Sequence, residues 1–141
     1  PSGDRNANPR DNSLTFLMTN IFPQSADNNR GSWRALEAYG RDLVYQQGKA
    51  LYVISWVYGD KGTVGKVTVP GRVWKVMVVL DSIEDEVTRG TEVIAVDMPN
   101  SDRIESDWTL YRTTVDRIEI ATGYDLLSEV PANVQSVIES R

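Results

Sequence analysis

Apolar and polar positions along this chain follow two distinct periods. Over residues 32–47, Trp33, Leu36, Gly40, Leu43 and Val44 recur at helical spacing, which predicts one amphipathic helix with a core-facing side. Arg34, Glu37 and Arg41 fall at i, i+3 and i+7 on an adjacent stripe of that helix, so their side chains can act together. Short runs rich in Val, Ile, Tyr and Trp, punctuated by Gly, Pro or Asp, predict strands at 14–21, 51–58, 65–69, 72–81 and 91–98, with a further short one at 107–112. Thr114 is placed to cap a helix of about two turns that Gly123 stops, and Pro131 suits the first position of a last helix through 140. Residues 1–13, 24–31 and 82–90 are polar and read as loops or turns.

Strands and helices do not alternate strictly, so the pattern predicts an α+β fold with a mixed, mainly antiparallel sheet flanked by helices. The expected organisation is a loop over 1–13, a strand and helix over 14–47, a sheet over 51–112 and helices over 114–141, all in one domain. The first apolar run has no hairpin partner before it, so a sheet that begins this way would want neighbours from outside the chain.

The 141 residues suffice for one domain with a real core. The longest apolar runs are too short to span a membrane, so no membrane partner is expected. There are no cysteines and no histidines, which excludes disulfides, thiolate or imidazole zinc sites and a Ser-His-Asp triad within this chain, and removes the commonest general base. The net charge of -5 argues mildly against a nucleic-acid partner. Its distribution softens this, because five arginines against four acids leave residues 1–41 at +1 and the remainder at -6.

The most informative stretch runs from Thr15 to Arg41 and gathers Asn20, Gln24, Asn28, Asn29, Glu37 and Arg41 around one strand-to-helix junction. Amide oxygens and a carboxylate are hard donors that suit Mg²⁺, which keeps most of its waters and takes few protein ligands. Arginines nearby can hold phosphate bidentately. A hydrated Mg²⁺ beside Arg is a workable phosphodiester-cleaving site. The plainer reading is that Asn-Asn before a helix forms a turn and an N-cap, and that Glu37 and Arg41 are an i,i+4 surface pair.

The segment TFLMTNIFPQSADNNRGSWRALEAYGRDL resembles the core of the DNA/RNA non-specific endonucleases, the ββα-metal nucleases, and is most like the cyanobacterial sugar-non-specific type. The resemblance continues through GKVTVPGRVWKVMVVLD, VIAVDMPN and TVDRIEIATGYDLLSEVPANVQSVIES. It implies a C-terminal portion of the ββα-metal nuclease fold without its N-terminal strands. The family's Asp-Arg-Gly-His motif would stand just before Pro1-Ser2-Gly3-Asp4-Arg5, which looks like its continuation. The resemblance further implies that Asn29 is the protein ligand to Mg²⁺, with Mn²⁺ as an alternative ion. Glu37 would hold the metal's waters, Arg41 would contact the substrate phosphate or leaving group, and Asn20, Gln24 and Asn28 would support the site. Trp33 reads as core, and Arg34 as part of a solvated face. The family usually has Gly, often followed by Pro, near the position of Trp56.

The function so implied is Mg²⁺-dependent hydrolysis of phosphodiester bonds in DNA and RNA to 5′-phosphate products, with the histidine base supplied by an N-terminal part. General-base catalysis is typically worth about 10²–10⁴ in rate, so that part matters. Backbone rather than base contacts would explain the lack of sugar and sequence preference. Implied partners are DNA, RNA, an N-terminal fragment or chain of the same nuclease and a protein inhibitor; the implied location is secreted or periplasmic. A different class remains open at this point: a catalytically dead nucleic-acid-binding or structural subunit that pairs its open sheet edge with a partner strand.

Overall fold

The computed structural model describes residues 22–141; the strand expected at 14–21, the loop at 1–13 and Asn20 lie outside them. A short helix α1 (Ala26–Arg30) leads at once into α2 (Ser32–Tyr45), followed by strand β1 (Ala50–Tyr58). A hairpin of β2 (Thr63–Val64) and β3 (Val67–Thr68) precedes the long strands β4 (Arg72–Leu80) and β5 (Glu92–Pro99). A 3₁₀ turn (Trp108–Tyr111), β6 (Arg112–Thr113), α3 (Val115–Thr122) and α4 (Ala132–Ile138) complete the chain. Among the described residues every ladder is antiparallel, in the order β1-β4-β5-β6.

The continuous apolar run of β4 is explained by its central place, since every residue from Val73 to Leu80 is buried. On one face Val73, Met77 and Val79 meet Trp33, Leu36 and Leu43 of α2, joined by Ile94, Val96 and Met98 of β5. On the other face Trp74, Val76 and Ala95 pack under Val115, Ile118 and Leu126. Gly40 faces the sheet, where a Cβ would make ordinary van der Waals contact with the Met77 sulfur at 3.4 Å and Leu51 at 3.5 Å. Arg72 and Asp97 add a cross-strand ion pair at 2.8 Å, and the Tyr58 hydroxyl donates to the same carboxylate at 2.6 Å. Burial, then that hydrogen bond and the Asp97 charge, push the Tyr58 phenol up to about 12.

Three local expectations need correction. The stretch 24–31 is not all turn, because Ser25 caps α1 by accepting from the Asn28 N–H. The strand expected at 65–69 splits into a hairpin, because Gly65 adopts φ 63 and serves with Lys66 as the two-residue connection between Val64 and Val67. The strand expected at 107–112 is mainly a 3₁₀ turn, because Asp107 accepts from both the N–H and the hydroxyl of Thr109 and so closes the chain locally. Trp56, near the family's usual Gly position, lies within the extended β1 opposite Trp74, and the left-handed residue follows later at Gly59 with φ 75.

Among the described residues β1 is the edge of the large sheet. Tyr52, Val53, Ile54 and Trp56 are substantially exposed along it, Trp56 at 45%. An edge this long and apolar is an unusual surface to leave in water.

Candidate active site

The site is built where α1 turns into α2. Gly31 makes that corner with its N–H donating to Asp27 O at 2.9 Å. A Cβ on Gly31 would lie 2.5 Å from the same carbonyl oxygen, so the angle between the helices requires glycine.

The corner assigns different work to two adjacent asparagines. Asn28 is completely buried; its Oδ1 accepts from Gln24 Nε2 at 2.8 Å and its Nδ2 donates to Pro99 O at 2.6 Å. Its amide is therefore spent on tying α1 to the end of β5. Asn29 is exposed, and among the described residues its side chain makes no hydrogen bond, so its amide oxygen is available to a ligand. Gln24 belongs with Asn28 and has a structural part in the corner.

Below the corner, α2 carries Glu37 and Arg41 one turn apart. Both line a cleft of about 240 Å³ together with Gly40, Val44, Lys75 and Met77. Lys75 rises from the centre of β4, its Nζ 3.4 Å from Glu37 Oε1 and 4.2 Å from the centre of the Trp33 ring. The two charged side chains are only 8% and 10% exposed, so the attraction is weakly screened and the carboxylate is held in place. Trp33 does more than fill core: its ring face also shields the ammonium. Arg34 is exposed. Asn29 does not line the Glu37–Arg41 cleft, and the chain thus offers the amide on α1 and the charged groups on α2 as neighbouring but separate surfaces.

Two residues escaped the sequence reading. Lys75 is hidden in the apolar run of β4, where a single cation gives no period. Asn100 reads as an ordinary turn residue after Pro99, yet it is 97% buried and ties three segments together. Its Oδ1 accepts from Ser25 N at 2.7 Å, and its Nδ2 donates to Pro23 O at 2.9 Å and Pro70 O at 2.8 Å. Replacing Asn100 with Ala is expected to cost about 2 kcal/mol of stability in urea unfolding, because the buried Pro70 carbonyl and two half-buried partners lose their mate. A loss below about 0.5 kcal/mol would mean that the corner is held by other contacts.

Residues 1–133 match the model of the family described as DNA/RNA non-specific endonuclease. A nuclease from Nostoc sp. is 49% identical across the whole chain, and a nuclease from Serratia marcescens is 28% identical across 92% of it. The chain spans about half the length of each, 53% and 49% respectively. The solved EndoG/EndoGI complex contains a chain that matches 92% of this one with a TM-score of 0.69 at 20% identity, and this chain covers 57% of it. That likeness shows a shared fold.

Proposed function

Because the chain belongs to the DNA/RNA non-specific endonuclease family, we propose that it carries the metal-binding half of a Mg²⁺-dependent endonuclease that hydrolyses DNA and RNA phosphodiesters to 5′-phosphate products. The observation that carries this reading is the split between Asn28 and Asn29. A buried, doubly bonded asparagine fixes the corner, and its exposed neighbour carries an amide with no hydrogen bond among the described residues. A single neutral oxygen donor fits an ion that retains most of its waters, with Mn²⁺ as an alternative. When bound, the ion supplies charge stabilisation at the phosphoryl oxygens.

The chain's own residues then have defined work. Asn29 provides the protein oxygen. Glu37, held by Lys75, accepts hydrogen bonds from ordered water at the site. Arg41 presents a guanidinium that donates to phosphate oxygens and leaves the base edges unread. The proton acceptor for the attacking water is not a histidine of this chain, which has none. We assign it to the histidine of an N-terminal part of the same nuclease, as a fragment or a separate chain, in keeping with the chain's coverage of half its relatives. The apolar edge of β1 supports a partner of that kind. A protein inhibitor is a further proposed partner, by analogy with the inhibited EndoG of the structural neighbour. We place the protein outside the cytoplasm, secreted or periplasmic, where such an activity spares the host's own nucleic acids.

The same edge favours a second reading, a subunit that binds without cutting and adds a partner strand to β1. Digestion of plasmid DNA and total RNA separates the two, using the 141-residue chain with Mg²⁺ or EDTA, alone and mixed with a family N-terminal fragment ending in Asp-Arg-Gly-His-Ile-Ala. Mg²⁺-dependent cutting in the mixture alone is expected. Cutting by the chain without the fragment would overturn the base assignment. No cutting in any mixture would favour the binding subunit.

A further inference from the structure

Away from that corner, three carboxylates converge where α3 meets the end of α4. Asp116, Glu119 and Glu139 each offer an oxygen within 4.8 Å of the others. The backbone joins the two helices here, since Asp116 N–H donates to Glu139 O at 3.1 Å. Glu119 is oriented by Leu126 N–H, which donates to its Oε1 at 2.6 Å. Glu139 is 93% buried, and among the described residues its Oε1 has no hydrogen-bond donor.

A buried carboxylate oxygen without a donor is an expensive arrangement that a proton, a water or a cation normally relieves. The surroundings do not relieve it. The charges acting on Glu139 come from Glu119, Asp116 and Asp125, all of the same sign, and they add to burial in pushing its carboxyl up to about 7. Three oxygen donors, two on α3 and one at the C-cap of α4, with no ammonium or guanidinium paired to them among the described residues, match a hard divalent cation. Three protein carboxylates in one place suit Ca²⁺, which takes about 6–8 oxygen ligands in flexible geometry, better than Mg²⁺, which keeps most of its waters.

We propose that Asp116, Glu119 and Glu139 form a Ca²⁺ site that clamps α3 to the end of α4, separate from Asn29 and independent of catalysis.

The test uses the full chain carrying Asn29→Ala, so that the other candidate metal position contributes nothing. Thermal unfolding at pH 8 with and without millimolar CaCl₂, and calorimetric titration with Ca²⁺, are compared for this parent and for the parent with Glu139→Gln. Ca²⁺ is expected to raise the parent's Tm by roughly 5–10 °C and to give a saturable heat. In the Glu139→Gln variant both effects should vanish, and its Tm without Ca²⁺ should exceed the parent's, since one repelled charge is gone. No Tm shift and no heat in the parent would overturn the proposal, as would an equal Ca²⁺ response in the variant. An equal response of the parent to Mg²⁺ would overturn the ion preference. Asp116→Asn provides the same comparison from α3 should Glu139→Gln fail to fold.

Discussion

Replacing Asn29 with Ala is expected to lower nuclease activity of the chain combined with its N-terminal part by at least about 10²-fold, the scale on which a lost charge-stabilising contact acts. The fold should be nearly untouched. Asn29 is exposed and its side chain bonds nothing among the described residues, so urea unfolding should shift by no more than about 0.5 kcal/mol. Replacing Asn28, one residue earlier, should do the reverse. It removes two hydrogen bonds, at 2.8 and 2.6 Å, from a fully buried side chain, with a stability loss of about 2 kcal/mol, and impairs activity only by loosening the corner. Steady-state rates over a Mg²⁺ titration distinguish the two, because only Asn29→Ala should also move the Mg²⁺ midpoint. Persistent cleavage by Asn29→Ala would show that the metal is held elsewhere.

Replacing Lys75 with Met is expected to destabilise the chain by about 3 kcal/mol. Removing the cation from a carboxylate that is only 10% exposed typically costs about 3–5 kcal/mol, and the 3.4 Å separation places this pair at the lower end. The loss includes the contact between the ammonium and the Trp33 ring. The double variant Lys75→Met/Glu37→Gln should lose less than Lys75→Met alone, because the side chain that loses its Lys75 partner is then neutral. Urea denaturation of the two variants provides the comparison. A double variant at least as unstable as the single one would mean that Lys75 acts through packing. In activity assays of the combined enzyme, Lys75→Met should reduce kcat more than it raises KM, as expected for a group that positions Glu37 without touching substrate.

Several features of this protein were legible in its sequence because they depend on neighbours within a few positions. The core stripe of α2 is written in the spacing of Trp33, Leu36, Gly40 and Leu43, all of which are buried. The limits of α3 are written in Thr114, whose side chain accepts from Arg117 N–H, and in Gly123, which takes φ 75 at its end. The strands β4 and β5 were visible as β-branched runs. Periodicity and capping are local physics, so a linear reading captures them.

Other features required the tertiary structure, because their causes lie far apart in the chain. Nothing local tells Asn28 from Asn29; the difference is the Pro99 carbonyl, which the end of β5 brings against α1. Lys75 meets Glu37 across 38 positions, and Asn100 meets Ser25 across 75. The buried carboxylate of Glu139 acquires its acidic neighbours only when α4 docks on α3. The hairpin at Gly65 and the 3₁₀ turn at Asp107 show the intermediate case, in which a single turn residue or side-chain cap overrode the β propensity around it. The sequence by itself determined the long helix α2, the long strands and α3, together with the core-facing stripe of α2 apart from Val44, which is exposed. The tertiary structure alone decided which polar groups are spent on holding the fold and which are left for chemistry, since a hydrogen bond or ion pair depends on distance in space and not on distance along the chain.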